Sequence, residues 1–240
     1  MLKAALLELP ARHAAVDAAF GDLEALLTEG PCDLALLPEC SLTGYVDDQG
    51  RCDPTPLAEA LDGPTARRVA SLAKRYGTAI GAPLVERDEA RYYNSYLVID
   101  RHGALLRRYR KRHPWFPERW ATPGTEPHGT FELGGLTLSL AICFDVHFLE
   151  VEAACELQRA DALLFPSAWV DGGPNDLRGP LFGALATRFG VVIANANWGP
   201  GTPRVRGQGG SRVVGPEGEL ARLPPGASAP ARLDVTLRRR

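Results

Sequence analysis

Cys143 closes the apolar run of residues 135–142 and is followed at once by Phe-Asp-Val-His-Phe-Leu-Glu150, so a buried strand delivers a thiol to the start of a helix. Unpaired backbone N–H groups at a helix start favour thiolate over thiol and can hold an oxyanion. The thiol is therefore either a nucleophile or an inert core cysteine, since free cysteine is among the most buried residue types. A nucleophile needs a proton acceptor, and a positive or hydrogen-bonding group where negative charge develops. Glu39 follows Leu34-Ala-Leu-Leu-Pro38 at the C-terminal end of a buried strand, where the active-site residues of parallel sheets gather. A desolvated carboxylate there suits general-base work; the alternative is a surface acid capping a loop. Lys111 stands in Arg107-Arg-Tyr-Arg-Lys-Arg-His113. The arginines read as a solvated charge run, whereas one lysine on the inward parity of the strand brings an ammonium to a thiol. Glu118, in Trp115-Phe-Pro-Glu-Arg-Trp120, is a second acid in an aromatic-rich loop. The five histidines stand in no catalytic pattern. His113 reads as a structural hydrogen-bonding residue, and only His113 or His147 would serve a thiol–imidazole hydrolase.

The elements that must position these groups alternate short apolar runs with amphipathic stretches. Residues 3–9, 33–37, 78–85, 92–99 and 104–109 read as strands, and so do 129–133, 136–142, 162–165, 191–196, 210–214 and 232–235. Helices are expected over 14–28, 64–76, 147–158 and 181–189. The second has proline in its first turn and Gly77 behind it. Hairpins and crossovers intermingle, so the sheets should be mixed.

The chain has 240 residues, 45% hydrophobic and 23% charged, enough for one large layered domain spanning 1–240. The net charge is −2 and the basic residues are scattered, without the stripe that nucleic acid requires. No apolar run approaches the roughly 18 residues of a membrane span, and the N-terminus lacks a signal-peptide layout. Five cysteines (Cys32, Cys40, Cys52, Cys143, Cys155) with no CxxC pair argue against a disulfide framework and a zinc site, and so for a reducing cytoplasm.

Taken in order, Glu39 after LLP, Lys111 in YRKRH and Cys143 in AICFD resemble the Glu-Lys-Cys triad of the nitrilase superfamily of carbon–nitrogen hydrolases. ERWATPG at 118–124 is similar to the family's second-glutamate loop, and FLE at 148–150 to its phenylalanine-x-glutamate after the nucleophile. RADALLFPSAW at 159–169 resembles the strand after the nucleophile helix, and GGSRVVGPEGEL at 209–220 a late glycine-serine hairpin. The resemblance runs from residue 3 to 235. One departure is Ala186-Thr-Arg-Phe189, where many members carry Arg-Ala-x-Glu-Asn. Packing around the site or at a dimer face is expected to differ there.

The resemblance implies a four-layer α-β-β-α sandwich with two mixed sheets. It implies hydrolysis of an amide-type bond in a small molecule through a cysteine thioester. Glu39 would be the base, Cys143 the nucleophile, and Lys111 with the Phe144 N–H the oxyanion holders. Glu118 would orient substrate or water, and Trp169, Asn197 and Trp198 would line the pocket. Arg178, Arg204 and Arg206 are either a clamp for a substrate carboxylate or solvated surface groups. No metal or cofactor is expected, and no nucleic-acid or membrane partner. A homodimer or larger homo-oligomer is expected through the helices after Cys143 and near Leu181. Two other outcomes fit the same residues: an acyltransferase passing the thioester to an amine, and a non-catalytic binding or scaffold protein.

Overall fold

The computed structural model describes residues 1–171, 176–224 and 227–240. In chain order the strands and helices are β1 (Leu2–Glu8), β2 (Pro10–Arg12), α1 (Val16–Thr28), β3 (Leu34–Leu36), α2 (Pro64–Tyr76), β4 (Ala79–Asp88), β5 (Arg91–Ile99) and β6 (Leu105–Arg110). The second half continues with β7 (Thr130–Leu133), β8 (Leu136–Leu140), α3 (Leu149–Glu152), α4 (Ala154–Arg159), β9 (Ala162–Ser167), α5 (Arg178–Phe189) and β10 (Val192–Asn197). It ends with β11 (Gly199–Thr202), β12 (Arg212–Gly215), β13 (Gly218–Arg222) and β14 (Ala231–Leu237).

One sheet runs β14-β1-β3-β4-β5-β6 and the other β13-β12-β10-β9-β8-β7. Each has three parallel strands at its centre, β1-β3-β4 and β8-β9-β10, with antiparallel strands outside them. The central strands are apolar on both faces because each face is covered. Leu6, Leu36, Tyr96 and Val98 of the first sheet share a core with Leu138, Leu140, Leu164 and Ala196 of the second. The outer face of the first sheet packs on α1 and α2 through Ala5, Leu7, Leu23, Leu26, Val69 and Leu72. That of the second packs on α3, α4 and α5 through Leu149, Leu157, Phe165, Phe182 and Leu185. The order of packing is thus helix, sheet, sheet, helix.

Helix α2 matches its sequence reading end for end. Pro64 fills its first turn and Gly77, at φ 63°, closes it in the left-handed conformation that only glycine adopts without cost. Glu59 supplies what Gly63 cannot, accepting the Thr65 N–H at 2.7 Å and the Thr65 hydroxyl at 2.9 Å.

The helix expected over 147–158 is a correction. A five-residue 3₁₀ turn, Cys143–His147, comes first, and two short helices follow with a break at Ala153. The turn winds tightly because the buried Asp145 carboxylate accepts the N–H of Ile142 at 3.0 Å and of His113 at 2.9 Å. Two short strands, β2 and β11, escaped the sequence reading, while β13 is the second arm of the hairpin expected at 209–220. β2 pairs with β11 in a small parallel ribbon where proline and glycine hide the strand pattern, and β13 is an exposed edge strand.

Candidate active site

The chemistry-bearing residues meet beyond the C-terminal ends of strands from both sheets, where Glu39 after β3 is bonded by Lys111 after β6 and by Ala168 after β9. In the first sheet, the Leu37 N–H makes one more sheet bond, to Gly81 O at 2.9 Å, and the Tyr96 hydroxyl donates to Leu37 O at 2.5 Å. Pro38 then ends the strand, and Cys40, at φ 50°, turns the chain back so that Gly44 N–H reaches Cys40 O at 2.7 Å. Glu39 is held between these two anchors. Strand β6 runs in the direction of β4 because two antiparallel pairings separate them, so Lys111 emerges at the same end. Its backbone is clasped on both sides, by Asn94 O and by the Gly124 N–H, at 2.8 Å each. In the second sheet Cys143 follows β8 at φ 44°, and the Asp145 carboxylate behind it is fixed by the Tyr109 hydroxyl at 2.7 Å.

Lys111, Glu39 and Glu118 are all buried. The Lys111 ammonium donates to Glu39 Oε1 at 2.7 Å and lies 3.0 and 2.8 Å from the two Glu118 oxygens. Asn94 Nδ2 donates to the same Glu39 oxygen at 2.8 Å and to Glu118 Oε1 at 2.9 Å. Backbone N–H groups take the remaining oxygens: Ala168 donates to Glu39 Oε2 at 2.8 Å, and Trp115 to Glu118 Oε2 at 2.7 Å. The Ala168 bond ties the first sheet to the loop after β9 in the second.

Burial works against the lysine's charge, but Glu118 and Glu39 outweigh it and hold the ammonium protonated well above its ordinary range. Burial, opposed by Lys111 and reinforced by Glu39, pushes the Glu118 carboxyl up to about 7. The Cys143 thiol is pushed well above the usual cysteine range, chiefly by burial and then by Glu39, against the pull of Lys111 and the Ala168 N–H. This corrects the expectation that a helix start favours thiolate. A single 3₁₀ turn carries little dipole, and desolvation is the larger effect. The resting sulfur is a thiol.

Cys143 opens on a cavity of about 80 Å³ lined by Trp115, Phe144, His147, Ala168 and Trp169, with Val170 and Asp171 beside them. Of the expected pocket residues, Trp169 lines this cavity; Asn197 and Trp198 stand behind its wall. Asn197 Oδ1 accepts the Trp169 N–H at 3.0 Å, and its Nδ2 donates to Gly207 O at 2.7 Å and Gly209 O at 2.9 Å. Trp198 Nε1 donates to Trp169 O at 2.8 Å while its ring meets Tyr45 edge-on. Both residues set where Trp169 sits. Gly207, at φ 85°, lies against the same wall, and a Cβ there would come within 2.5 Å of Trp169 O.

Arg178 is buried and committed to Asp176 through Nε and Nη2 at 2.8 Å each, while Arg204 and Arg206 are exposed. His113 bonds Glu152 at 3.0 Å and stacks on Phe148. His147 lines the cavity, its imidazole pKa lowered by burial. Glu150, in the FLE segment, is exposed and pairs with Arg188 at 2.5 Å. Sequence reading missed Asn94. Its signal was an amide within the strand pattern Tyr92-Tyr-Asn-Ser-Tyr-Leu-Val, on the parity of the core residues Tyr96 and Val98. The Ala168 N–H and the Asp145 clamp left no such signal. Among the described residues no helix is long and apolar enough to cross a membrane, and no three His, Cys, Asp or Glu side chains gather to hold a metal.

The carbon–nitrogen hydrolase family profile matches residues 3–230. A Pseudomonas protegens protein described as a hydrolase in the pqqF 5' region is 32% identical, over 92% of this chain and 78% of its own length. An (R)-stereoselective amidase from a Pseudomonas species is 28% identical, over 82% of this chain and 71% of its own. N-carbamoylputrescine amidase from Arabidopsis thaliana is 30% identical, over 65% and 59% respectively. Among solved structures, the Nesterenkonia AN1 amidase of the nitrilase superfamily superimposes with a TM-score of 0.81 at 27% identity, over 99% of this chain and 92% of that one. In a glutamate-to-glutamine mutant of that amidase, with a TM-score of 0.79, the acetamide moiety of fluoroacetamide is covalently added at the active-site cysteine; identity is again 27%, over 98% of this chain and 89% of that one. With a matching profile across nearly its whole length and the same arrangement of sheets, the chain belongs to the carbon–nitrogen hydrolase family of the nitrilase superfamily.

Proposed function

We propose that the protein hydrolyses the carbon–nitrogen bond of a small amide through a thioester on Cys143. The observation that carries this reading is the Glu39 carboxylate, bonded at once by Lys111, Asn94 and Ala168 beside a protonated thiol. A neutral thiol is a weak nucleophile, so a base must take its proton as it attacks. Glu39 takes that proton while sulfur bonds to the carbonyl carbon. The charge passing to the carbonyl oxygen is held by the Lys111 ammonium and the Phe144 N–H. Removing one such donor typically costs ~10²–10³ in rate. Glu39 then returns the proton to the nitrogen as the carbon–nitrogen bond breaks and the amine departs. It next takes a proton from water, whose oxygen attacks the thioester. The acid leaves, and the proton goes back to sulfur. Glu118 keeps Lys111 and the Trp115 wall in place.

The cavity is small against the ~300–1,000 Å³ usual for drug-sized ligands, which suits an acyl group of a few heavy atoms. The amidase names of the relatives above support an amide over a nitrile, and the cysteine adduct in the Nesterenkonia enzyme supports a reactive thiol at this place in the fold. The expected self-association through the outer faces of α3, α4 and α5 belongs to this proposal. Sedimentation showing only monomer at micromolar concentration counts against it.

The deciding experiment is intact-protein mass spectrometry after brief mixing with primary amides, N-carbamoyl compounds and secondary amides, quenched in acid. An acyl-sized mass increase mapped to Cys143 and absent in Cys143→Ala is expected. Absence of any adduct and of any released amine across the panel overturns the reading.

A further inference from the structure

Two buried carboxylates beside one buried ammonium repel one another, and something besides Lys111 must hold them at a fixed spacing. Asn94 has the geometry for it. Its two amide hydrogens are spent one on each acid, on the same two oxygens that lie within 2.7 and 3.0 Å of the Lys111 ammonium. Donors and acceptors therefore alternate around a closed ring of Lys111, Glu39, Asn94 and Glu118. The amide can face only one way, because a flip would aim its oxygen at two carboxylates. Cys40 Sγ lies 4.0 Å from Asn94 Oδ1 on the other side, in line with that choice. The Asn94 carbonyl also receives the Lys111 backbone N–H, so one residue on β5 registers both the lysine and the acids.

We propose that Asn94 is a positioning residue: it sets the spacing of Glu39 and Glu118 and thereby the pH at which the Cys143 site begins to work. This rests on the hydrolase reading above.

The ionisable groups around the ring are few. Cys40 follows Glu39 after β3, Tyr45 and Cys52 lie in the loop beyond, and Cys143 and Asp145 follow β8. Burial holds Cys40 and Tyr45 neutral well past their ordinary ranges and pushes the Cys52 thiol up to about 12. Burial also raises the Asp145 carboxyl, against Lys111 and its own hydrogen bonds. The thiols and the phenol stay uncharged near neutrality, so besides burial the Glu118 carboxyl feels chiefly Lys111 and Glu39. Each N–H that bonds a carboxylate favours its ionised form. Without Asn94, Glu118 therefore holds its proton to higher pH.

The test follows the rate of Cys143 alkylation by iodoacetamide against pH, with the site mapped by peptide mass spectrometry. Exposed Cys155 is the internal reference. Any thiol alkylates faster as it ionises; wild-type Cys143 should show in addition an acid limb set by the buried acids, read from the ratio of its rate to that of Cys155. In Asn94→Ala the limb should move up by about one pH unit, the equivalent of one lost hydrogen bond to a charged group. The rate at pH 6 then falls about tenfold while that at pH 9 changes less than about twofold. Asn94→Ser, keeping one donor, should fall between. Asn94→Asp has the native shape but donates only when protonated, so its Cys143 rate should fall as pH rises through the range where wild type gains. It decides the matter if the Ala variant fails to fold by circular dichroism. A rate that drops by one factor at every pH, with the limb unmoved, overturns the role of Asn94 and leaves the hydrolase reading standing. A wild-type Cys143 that behaves like Cys155, in a protein that turns over no amide, overturns both.

Discussion

Replacing His128 by phenylalanine should remove a large part of the protein's sensitivity to acid. His128 is buried, stacks on Tyr109 with ring centroids 5.5 Å apart, and has no hydrogen-bond partner for either ring nitrogen among the described residues. Burial, helped by the Arg112 guanidinium nearby, lowers its pKa from 6.5 to about 4, against the smaller opposing pull of the Glu152 carboxylate and the Leu140 backbone. Above pH 6.5 the imidazole is neutral whether the chain is folded or not, and stability is unaffected. Between 6.5 and 4 the unfolded chain takes up a proton that the folded chain refuses, so stability falls as pH falls. At ~1.36 kcal/mol per unit, a gap of roughly 2.5 units amounts to about 3 kcal/mol by pH 4. Glu118 contributes with the opposite sign. Its carboxyl, raised to about 7, binds a proton on folding from 4.5 upward, and that contribution is lost as pH rises through 7. Glu118 is present in both proteins, so it cancels in their difference. Phenylalanine keeps the stacking on Tyr109, whose hydroxyl fixes Asp145 and through it the Cys143 turn. Urea unfolding followed by tryptophan fluorescence at pH 7, 5.5 and 4 measures the effect. Wild type should lose about 3 kcal/mol more than His128→Phe between pH 7 and 4. Parallel curves for the two proteins would refute the reasoning, because the imidazole would then be taking its proton without cost.

Lys111→Met leaves two buried acids without their cation. It should destabilise the fold by ~3–5 kcal/mol at pH 8, with partial recovery at pH 5.5 as Glu118 protonates, and it should abolish acylation of Cys143. Thermal unfolding at the two pH values and the quenched mass assay check this. Gly207→Ala places a Cβ within 2.5 Å of Trp169 O on a left-handed backbone. It should cost ~1–3 kcal/mol of stability and shift the cavity wall, read as a raised KM for whichever panel amide is turned over. Trp169→Ala enlarges the cavity. The kcat/KM ratio of butyramide over acetamide should rise by about tenfold or more, since each methylene accommodated is worth ~1–3 kcal/mol.

Much of the frame was legible in the chain because local rules governed it. Helix α2 follows from a proline, a glycine and apolar residues at helical spacing, and the buried parallel strands follow from continuous apolar runs. The helix after Cys143 was misread because its course depends on Asp145 reaching back to the backbone of Ile142 and across to His113, which periodicity does not encode. The ribbon of β2 and β11 was invisible for a similar reason. Its pairing is made by a partner nearly 190 residues away, not by propensity.

For the site, the sequence alone determined the residue types and their order: an acid after one buried strand, a lysine after another, a cysteine between a strand and a tight turn. It could do so because each lies where an apolar run ends, a boundary written locally. Only the tertiary structure decided which of them meet and in what protonation state. The Glu39–Lys111 pair spans 72 positions and the Glu39–Ala168 bond 129. The neutral thiol and the high carboxyl of Glu118 arise from desolvation by atoms of both sheets. Burial is a sum over neighbours brought from everywhere in the chain, so no local pattern carries it.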